Sequence, residues 1–296
     1  MVRKGVLLHN RHAGNAGEDS LVNDLREVIE EEVEILQVYS GETAEETLTF
    51  LRNDQNEMDK LWILGGDGTV HLAVEGIRSR QHIPEVAILP AGTCNDTARS
   101  LQLPLKPLEA CKASLRKEPI LLDAGLCGDE AFINFAGLGL IADTSENIDP
   151  DLKEKTGRVS YFISAWQTMR EAEPFTYSME VDGEHYRGEA VMILAANGGF
   201  LGTSELPSET ISMTDGKLDL FIIKVGGRSV FGEWLQQKLT SSSIEDAENV
   251  SWLQGSEIML KTDPPKKLDL DGELRKAGEV EITVLKQRIP FITGWS

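Results

Sequence analysis

The chain has 296 residues, 41% hydrophobic and 26% charged, which exceeds the ~100–200 residues of a typical domain and favours two domains, each able to bury its own core. With 49 acidic against 29 basic residues the formal net charge is -20; that balance argues against nucleic acid as a partner and against broad docking on an anionic membrane, so any membrane contact must be local. No stretch approaches the ~18–20 uninterrupted apolar residues of a membrane-spanning helix, and the only cysteines, Cys94, Cys111 and Cys127, lack CxxC spacing and fit reduced thiols in a cytoplasmic protein.

The N-terminal MVRKGVLLHNRH predicts a first strand over Gly5 to His9 rather than a signal peptide. Leu21, Leu25, Val28 and Ile29 recur at helical spacing, and VEILQV (Val33 to Val38) predicts a second strand. A helix from Ala44 to Leu51, a strand LWIL (Leu61 to Leu64), a helix after Thr69, a strand VAIL (Val86 to Leu89) and a helix starting near Asp96 follow. Alternating wholly apolar strands with helices predicts a parallel sheet covered on both faces.

Beyond about Leu121 the period changes to two. Tyr177, Met179 and Val181 alternate with polar residues up to a hairpin turn at Asp182-Gly183; Leu218, Leu220 and Ile222, Ile258 and Leu260, Leu268 and Leu270, and Val280, Ile282 and Val284 alternate likewise. That half predicts antiparallel sheets in a sandwich, interrupted by helices over 160–172 and 229–239. The domains expected are 1–120 and 121–286, and the last segment, 287–296, could pack back on the first.

GGDGT (Gly65 to Thr69) stands directly after the strand LWIL and before a helical pattern. In a parallel α/β sheet ligands bind beyond the carboxyl ends of the strands, where a glycine-rich turn lets backbone approach a phosphate and a helix N-terminus offers N–H groups. Asp67 places a carboxylate where it could hold magnesium, and Thr69 a hydroxyl for a phosphate oxygen or a helix cap. PAGTCND (Pro90 to Asp96) repeats the construction after the next strand, with Gly92 and Thr93 at the turn and Asn95 or Asp96 at the helix start; HNRHAG (His9 to Gly14) does so after the first. Polar turns at several strand ends on one sheet edge are where a nucleotide would lie.

Taken together, PAGTCNDTAR, FINFAGLG (Phe132 to Gly139), TDGKLD (Thr214 to Asp219) and LDLDGE (Leu268 to Glu273) resemble, in order, the motifs of the diacylglycerol kinase catalytic-domain family, the bacterial lipid kinases related to sphingosine and ceramide kinases. GGDGT alone is shared with NAD kinases and phosphofructokinases. The resemblance implies an N-terminal doubly wound, Rossmann-like domain of the NAD kinase and phosphofructokinase type, followed by an antiparallel β-sandwich. It implies ATP and Mg2+ as cofactors and transfer of the γ-phosphate to the hydroxyl of diacylglycerol or a similar lipid, at the inner face of the membrane. Asn10, Arg11, His12, Ala13, Gly14, Ser40, Gly65, Gly66, Asp67, Gly68, Thr69, Val70 and Thr93 would then surround ATP, together with the turn residues Gly92, Asn95 and Asp96. Asp271 would be the general base. Asp67, Asp123 and Glu273 would form the acidic network around the catalytic magnesium, and Ser212, Asp215 and Lys217 would hold a second, structural one. The chain departs from the family at Arg11, where proline is usual, and at Val70-His71-Leu72 after GGDGT.

Asp271-Gly272 and Asp215-Gly216 can also be read as turns. Strand periodicity would put Glu273 on the same side as Asp271. A helix carrying Phe162, Trp166 and Met169 would line the acceptor groove, and Lys106, Lys112, Arg116 and Lys117 would form a local membrane-facing patch. The alternatives are a catalytically silent nucleotide- or lipid-binding regulator, and a soluble-metabolite kinase of the NAD type. Homodimerisation is left open.

Overall fold

The structure is a computed structural model that describes residues 3–10, 19–115, 117–139, 141–142, 173–206, 208, 211–225 and 249–295. The helices expected over 160–172 and 229–239, with Phe162, Trp166 and Met169, lie outside the described residues, as do Arg11 to Gly14 and Arg116. The chain divides into two compact units, Met1–Leu122 with Gln287–Ser296, and Asp123–Lys286.

The first unit runs β1 (Lys4–His9), α1 (Asp19–Ile29), β2 (Ile35–Tyr39), α2 (Ala44–Arg52), β3 (Lys60–Gly65), α3 (Asp67–Ile77), β4 (Glu85–Pro90), α4 (Asp96–Ser100) and α5 (Pro107–Ser114). Its strands are parallel in the order β2-β1-β3-β4, with Leu7 beside both Val38 and Trp62, and Trp62 beside Ala87. β3 is buried at every position, as its unbroken apolar run predicts for a sheet covered on both faces. Leu7, Leu25, Ile29, Trp62, Leu64, Leu89 and Ile292 share one core, each fully buried large side chain worth ~1.5–3 kcal/mol. Lys60 is the charged member of β3: its Nζ donates to Glu32 Oε1 at 3.0 Å and to the Ser114 carbonyl at 2.8 Å, which is how a buried ammonium is tolerated. The edge strand β2 starts two residues later than the pattern suggests and leaves Ile35 and Val38 exposed.

The second unit adds β5 (Ile120–Cys127, entered from the first unit), β6 (Glu130–Phe132), β7 (Phe135–Gly139), β8 (Phe175–Val181), β9 (Glu184–Ala190), β10 (Met192–Ala196), β11 (Phe200–Leu201), β12 (Ser204–Glu205), β13 (Leu218–Ile223), β14 (Val250–Gly255), β15 (Glu257–Asp263), β16 (Leu268–Leu270), β17 (Glu273–Arg275) and β18 (Glu279–Phe291). An antiparallel sheet in the order β14-β13-β10-β7-β16-β17 and a second layer of β18, β15, β8 and β9 enclose a core of Leu138, Met179, Ile193, Leu220, Ile258, Leu270 and Ile282. The parallel α/β unit and the antiparallel sandwich match the expected fold class. A further expectation changes. β13 does not alternate: Asp219 and Phe221 are as buried as Leu218, Leu220 and Ile222, because Phe221 belongs to a second apolar cluster with Met192, Leu194 and Ile223 on the other face of that sheet.

Candidate active site

In the first unit the two glycine turns interlock. α3 begins at Asp67, three residues before the expected start, with Gly66 as its N-cap in extended backbone; Thr69 therefore lies inside the first turn, where its N–H donates to the Gly66 carbonyl at 2.9 Å. A Cβ on Gly92 would stand 2.5 Å from Gly66 Cα, so neither turn admits a side chain at the contact. Asn95, in the left-handed region at φ 54°, closes the second turn: its Oδ1 accepts the Gly92 N–H at 2.9 Å and its Nδ2 donates to the Gly92 carbonyl at 2.8 Å. Asp67 ties the two together, Oδ1 accepting the N–H and the hydroxyl of Thr97 at 3.0 and 3.2 Å. Asp67 thus braces α4 against the glycine turn, and Thr97, which the sequence reading passes over, is its partner.

These turns fit a phosphate. A Cβ on Gly68 would meet nothing within 4 Å, which leaves open space at the N-terminus of α3 for an anion. The Ser40 hydroxyl, just past β2, is buried and has no hydrogen-bond partner among the described residues, a donor of the kind a ligand oxygen satisfies. Val70 and Asp96 are buried, Thr93 and Asn10 exposed. Two surface cavities of the unit, about 580 and 640 Å3, are walled by Tyr39, Thr43 and Phe50 and by Ile35, Met58 and Arg80. Neither includes a glycine-turn residue.

In the second unit Asp271 and Gly272 form the two-residue turn between β16 and β17, with φ of 49° and 92° and Leu270 opposite Glu273, the left-handed pair of a type I′ hairpin. The chain reverses there. Glu273 accordingly lies on the next strand, so the strand periodicity behind the expected same-side relation does not apply across the turn. Asp271 is 8% exposed, and three successive backbone amides hold its carboxylate: Ile133 N–H to Oδ2 at 2.8 Å, Asn134 N–H and Phe135 N–H to Oδ1 at 2.8 and 2.9 Å. Asp182-Gly183 is built alike, with φ of 49° and 88° between β8 and β9 and with Oδ1 of Asp182 accepting the N–H groups of Ser256 and Glu257 at 3.0 and 2.9 Å. The two differ in setting: Asp182 is exposed and Asp271 buried.

Asp123, fully buried in β5, accepts the Gly216 N–H on Oδ2 at 2.7 Å and donates its own N–H to the Met213 carbonyl at 2.7 Å. It thereby pins the loop Ser212 to Lys217, where Asp215 Oδ1 accepts the Lys217 N–H at 3.0 Å and the Ser212 hydroxyl lies 3.1 Å from that of Thr214. The carboxylate of Asp215 and the loop's backbone carbonyls form an oxygen-only donor set, which suits magnesium, an ion that keeps much of its own water. Among the described residues no three acidic, histidine or cysteine side chains gather into a ready-made metal site. Asn197 links this region to Asp271. Its Nδ2 donates to the carbonyls of Asp123 and Ile133 at 3.1 and 2.7 Å. Nothing in the sequence reading singles it out, although NGG (Asn197 to Gly199) directly after the apolar strand β10 is a signal of the same kind as GGDGT.

Of the basic patch, Lys106 pairs with Glu109 at 2.9 Å and Lys117 donates to the Trp295 carbonyl at 3.0 Å. No described helix is long and apolar enough to cross a membrane.

Comparison with known proteins places the chain clearly. Residues 4–127 match the diacylglycerol kinase catalytic domain model, and residues 136–292 match the model described as the YegS C-terminal NAD kinase beta sandwich-like domain. A Staphylococcus aureus (strain Mu3) protein named "Putative lipid kinase" is 29% identical over 294 residues, covering 98% of this chain and 96% of that one; the strain Newman protein of the same name is 28% identical over the same span. A crystal structure titled as a putative diacylglycerol kinase from Bacillus anthracis str. Sterne superposes with a TM-score of 0.87 at 27% identity, covering 99% of this chain and 96% of that one.

Proposed function

Because this chain belongs to the lipid-kinase family that joins a diacylglycerol kinase catalytic domain to a YegS-type β-sandwich-like domain, we propose that it transfers the γ-phosphate of ATP to the hydroxyl of diacylglycerol or a similar lipid. The product is phosphatidic acid or its analogue. The observation that carries the reading is the interlocked pair of glycine turns at Gly66 and Gly92. They bare backbone beside the N-terminus of α3, where phosphate oxygens take N–H donors and the positive end of the helix dipole. Ser40 donates its hydroxyl, and Asn95 and Asp67 keep the turns rigid.

Asp271 is the base of the proposed reaction. The lipid oxygen bonds to the γ-phosphorus as the bridge to the β-phosphate breaks, ADP leaves, and the hydroxyl proton passes to the Asp271 carboxylate, which the amides of 133–135 hold in one orientation. Magnesium, when bound, would neutralise phosphate charge, and the loop of Ser212, Asp215 and Lys217 would hold a structural ion through its oxygens. A lipid acceptor implies peripheral contact with the inner face of the membrane, and the acidic surface implies no nucleic-acid partner.

One observation favours a second reading. Asp271 is anchored as Asp182 is, which suits a turn residue with no chemistry in a catalytically silent nucleotide- or lipid-binding regulator. Phosphate transfer from labelled ATP, with and without Mg2+, to diacylglycerol, other hydroxyl lipids and NAD separates the readings. The proposal expects a labelled lipid only with the metal. Label on NAD alone, or tight lipid binding without transfer across the panel, would overturn it.

A further inference from the structure

We propose that Asn197 is a positioning residue for Asp271, holding from behind both peptide groups that grip its Oδ1. This rests on the reading of Asp271 as the base. The peptide between Ile133 and Asn134 presents its carbonyl to Asn197 Nδ2 at 2.7 Å and its N–H to Asp271 Oδ1 at 2.8 Å. The next peptide presents its carbonyl, that of Asn134, to the backbone N–H groups of Asn197 and Gly198 at 2.8 and 3.0 Å, and its N–H, that of Phe135, to the same Oδ1 at 2.9 Å. The Asp271 N–H returns to the Phe135 carbonyl at 3.1 Å and closes the circuit. A hydrogen bond at the oxygen of a peptide fixes its plane and polarises its N–H, so each contact made by Asn197 strengthens a donor to Asp271. The second bond of Nδ2, to the Asp123 carbonyl, extends the same hold to the strand that carries Asp123.

The side chain itself points to a purpose other than packing. Asn197 is 1% exposed, and its Oδ1 is buried with no partner among the described residues. The two carbonyls beside Nδ2 settle which end of the amide is nitrogen. A buried acceptor left without a donor is destabilising, and an apolar residue would fill the space without that cost. What an apolar residue cannot supply is two donors directed at two carbonyls.

The test uses the full chain with Asn197→Ala and with Asn197→Ser, the latter in case the former does not fold, and reads two quantities. The amide proton resonance of Asn134, whose peptide carbonyl loses Nδ2, is expected to move upfield, the direction of weaker donation, and that of Phe135, whose peptide carbonyl keeps its backbone donors, to move less; an unchanged Asn134 resonance in a folded variant would overturn the clamp. Turnover is expected to fall ~10- to 100-fold with KM for ATP within ~2-fold of the parent, and Asn197→Ala placed on Asp271→Ala is expected to cause no further loss. A full additive loss in the double variant, or a loss carried by KM alone, would show that Asn197 does not act through Asp271. If the unmodified chain phosphorylates no acceptor, the kinase reading and the role in turnover fall together, while the amide resonances still decide whether Asn197 holds the clamp.

Discussion

Gly66 and Gly92 stand so close that a Cβ on the second would lie 2.5 Å from the Cα of the first, and a Cβ on the first 3.0 Å from the Cα of the second. Backbone meets backbone there, and no side-chain rotation relieves an added methyl. Gly92→Ala is expected to cost ~1–3 kcal/mol of stability by overpacking and to weaken ATP binding with it. Gly68→Ala is the informative contrast. Its Cβ meets nothing within 4 Å, and alanine suits a helix better than glycine by up to ~1 kcal/mol, so its melting temperature should hold or rise while KM for ATP increases as the methyl enters the space assigned to phosphate. Equal melting temperatures for the two variants would contradict the interlock.

Asp182 gives a prediction in pH. Burial pushes its carboxyl up, but the amides of Glu257 and Ser256, the Ser256 hydroxyl and Lys286 outweigh that and hold it below its ordinary value of 3.8. A group whose folded value is depressed contributes stability that is complete above the unfolded value and is lost as pH falls through the folded one. The melting-temperature gap between the parent and Asp182→Asn should therefore be widest at neutral pH and shrink below about 3.8. Asparagine tolerates the left-handed backbone of this turn, so the gap reports the charge. A gap independent of pH would rule out this assignment.

The thiols should be inert. Burial pushes Cys111 up to about 12, with Lys60 opposing and Glu32 adding to the rise, and burial with Glu130 and Glu281 pushes Cys127 up to about 11. At pH 8 roughly one Cys127 in a thousand is thiolate, and the thiolate is the reactive form. Aromatic disulfide reagents should label the native protein slowly and label Cys94, Cys111 and Cys127 fast in denaturant. Native labelling at the rate of a free thiol would show the buried setting to be wrong.

What the sequence reveals and hides follows the range of each interaction. The parallel strands are legible because wholly apolar runs such as LWIL suit only a doubly covered sheet, and the glycine turns because each is local. β13 misleads for a physical reason: its Asp219 looks like an outward residue, yet it accepts from the indole of Trp252 and the amide of Gln254 at 2.9 and 3.2 Å, and residues so distant in sequence leave no periodic mark. The link of Asp67 to Thr97 and the hold of Asn197 on the amides behind Asp271 are likewise long-range. Asp271-Gly272 carries both a turn and a motif, and only the hairpin geometry shows that Glu273 sits on the returning strand.

Asp182 and Asp271 share backbone, turn type and amide-bound carboxylate, so the same substitution at both isolates what Asp271 does beyond making a turn. The decisive measurement is Mg2+-dependent phosphate transfer from ATP to diacylglycerol by Asp271→Asn and Asp182→Asn, each confirmed folded by its melting transition. The account predicts a kcat loss of ~100-fold or more for Asp271→Asn and turnover within ~2-fold of the parent for Asp182→Asn. A folded Asp271→Asn that turns over as fast as Asp182→Asn would contradict it.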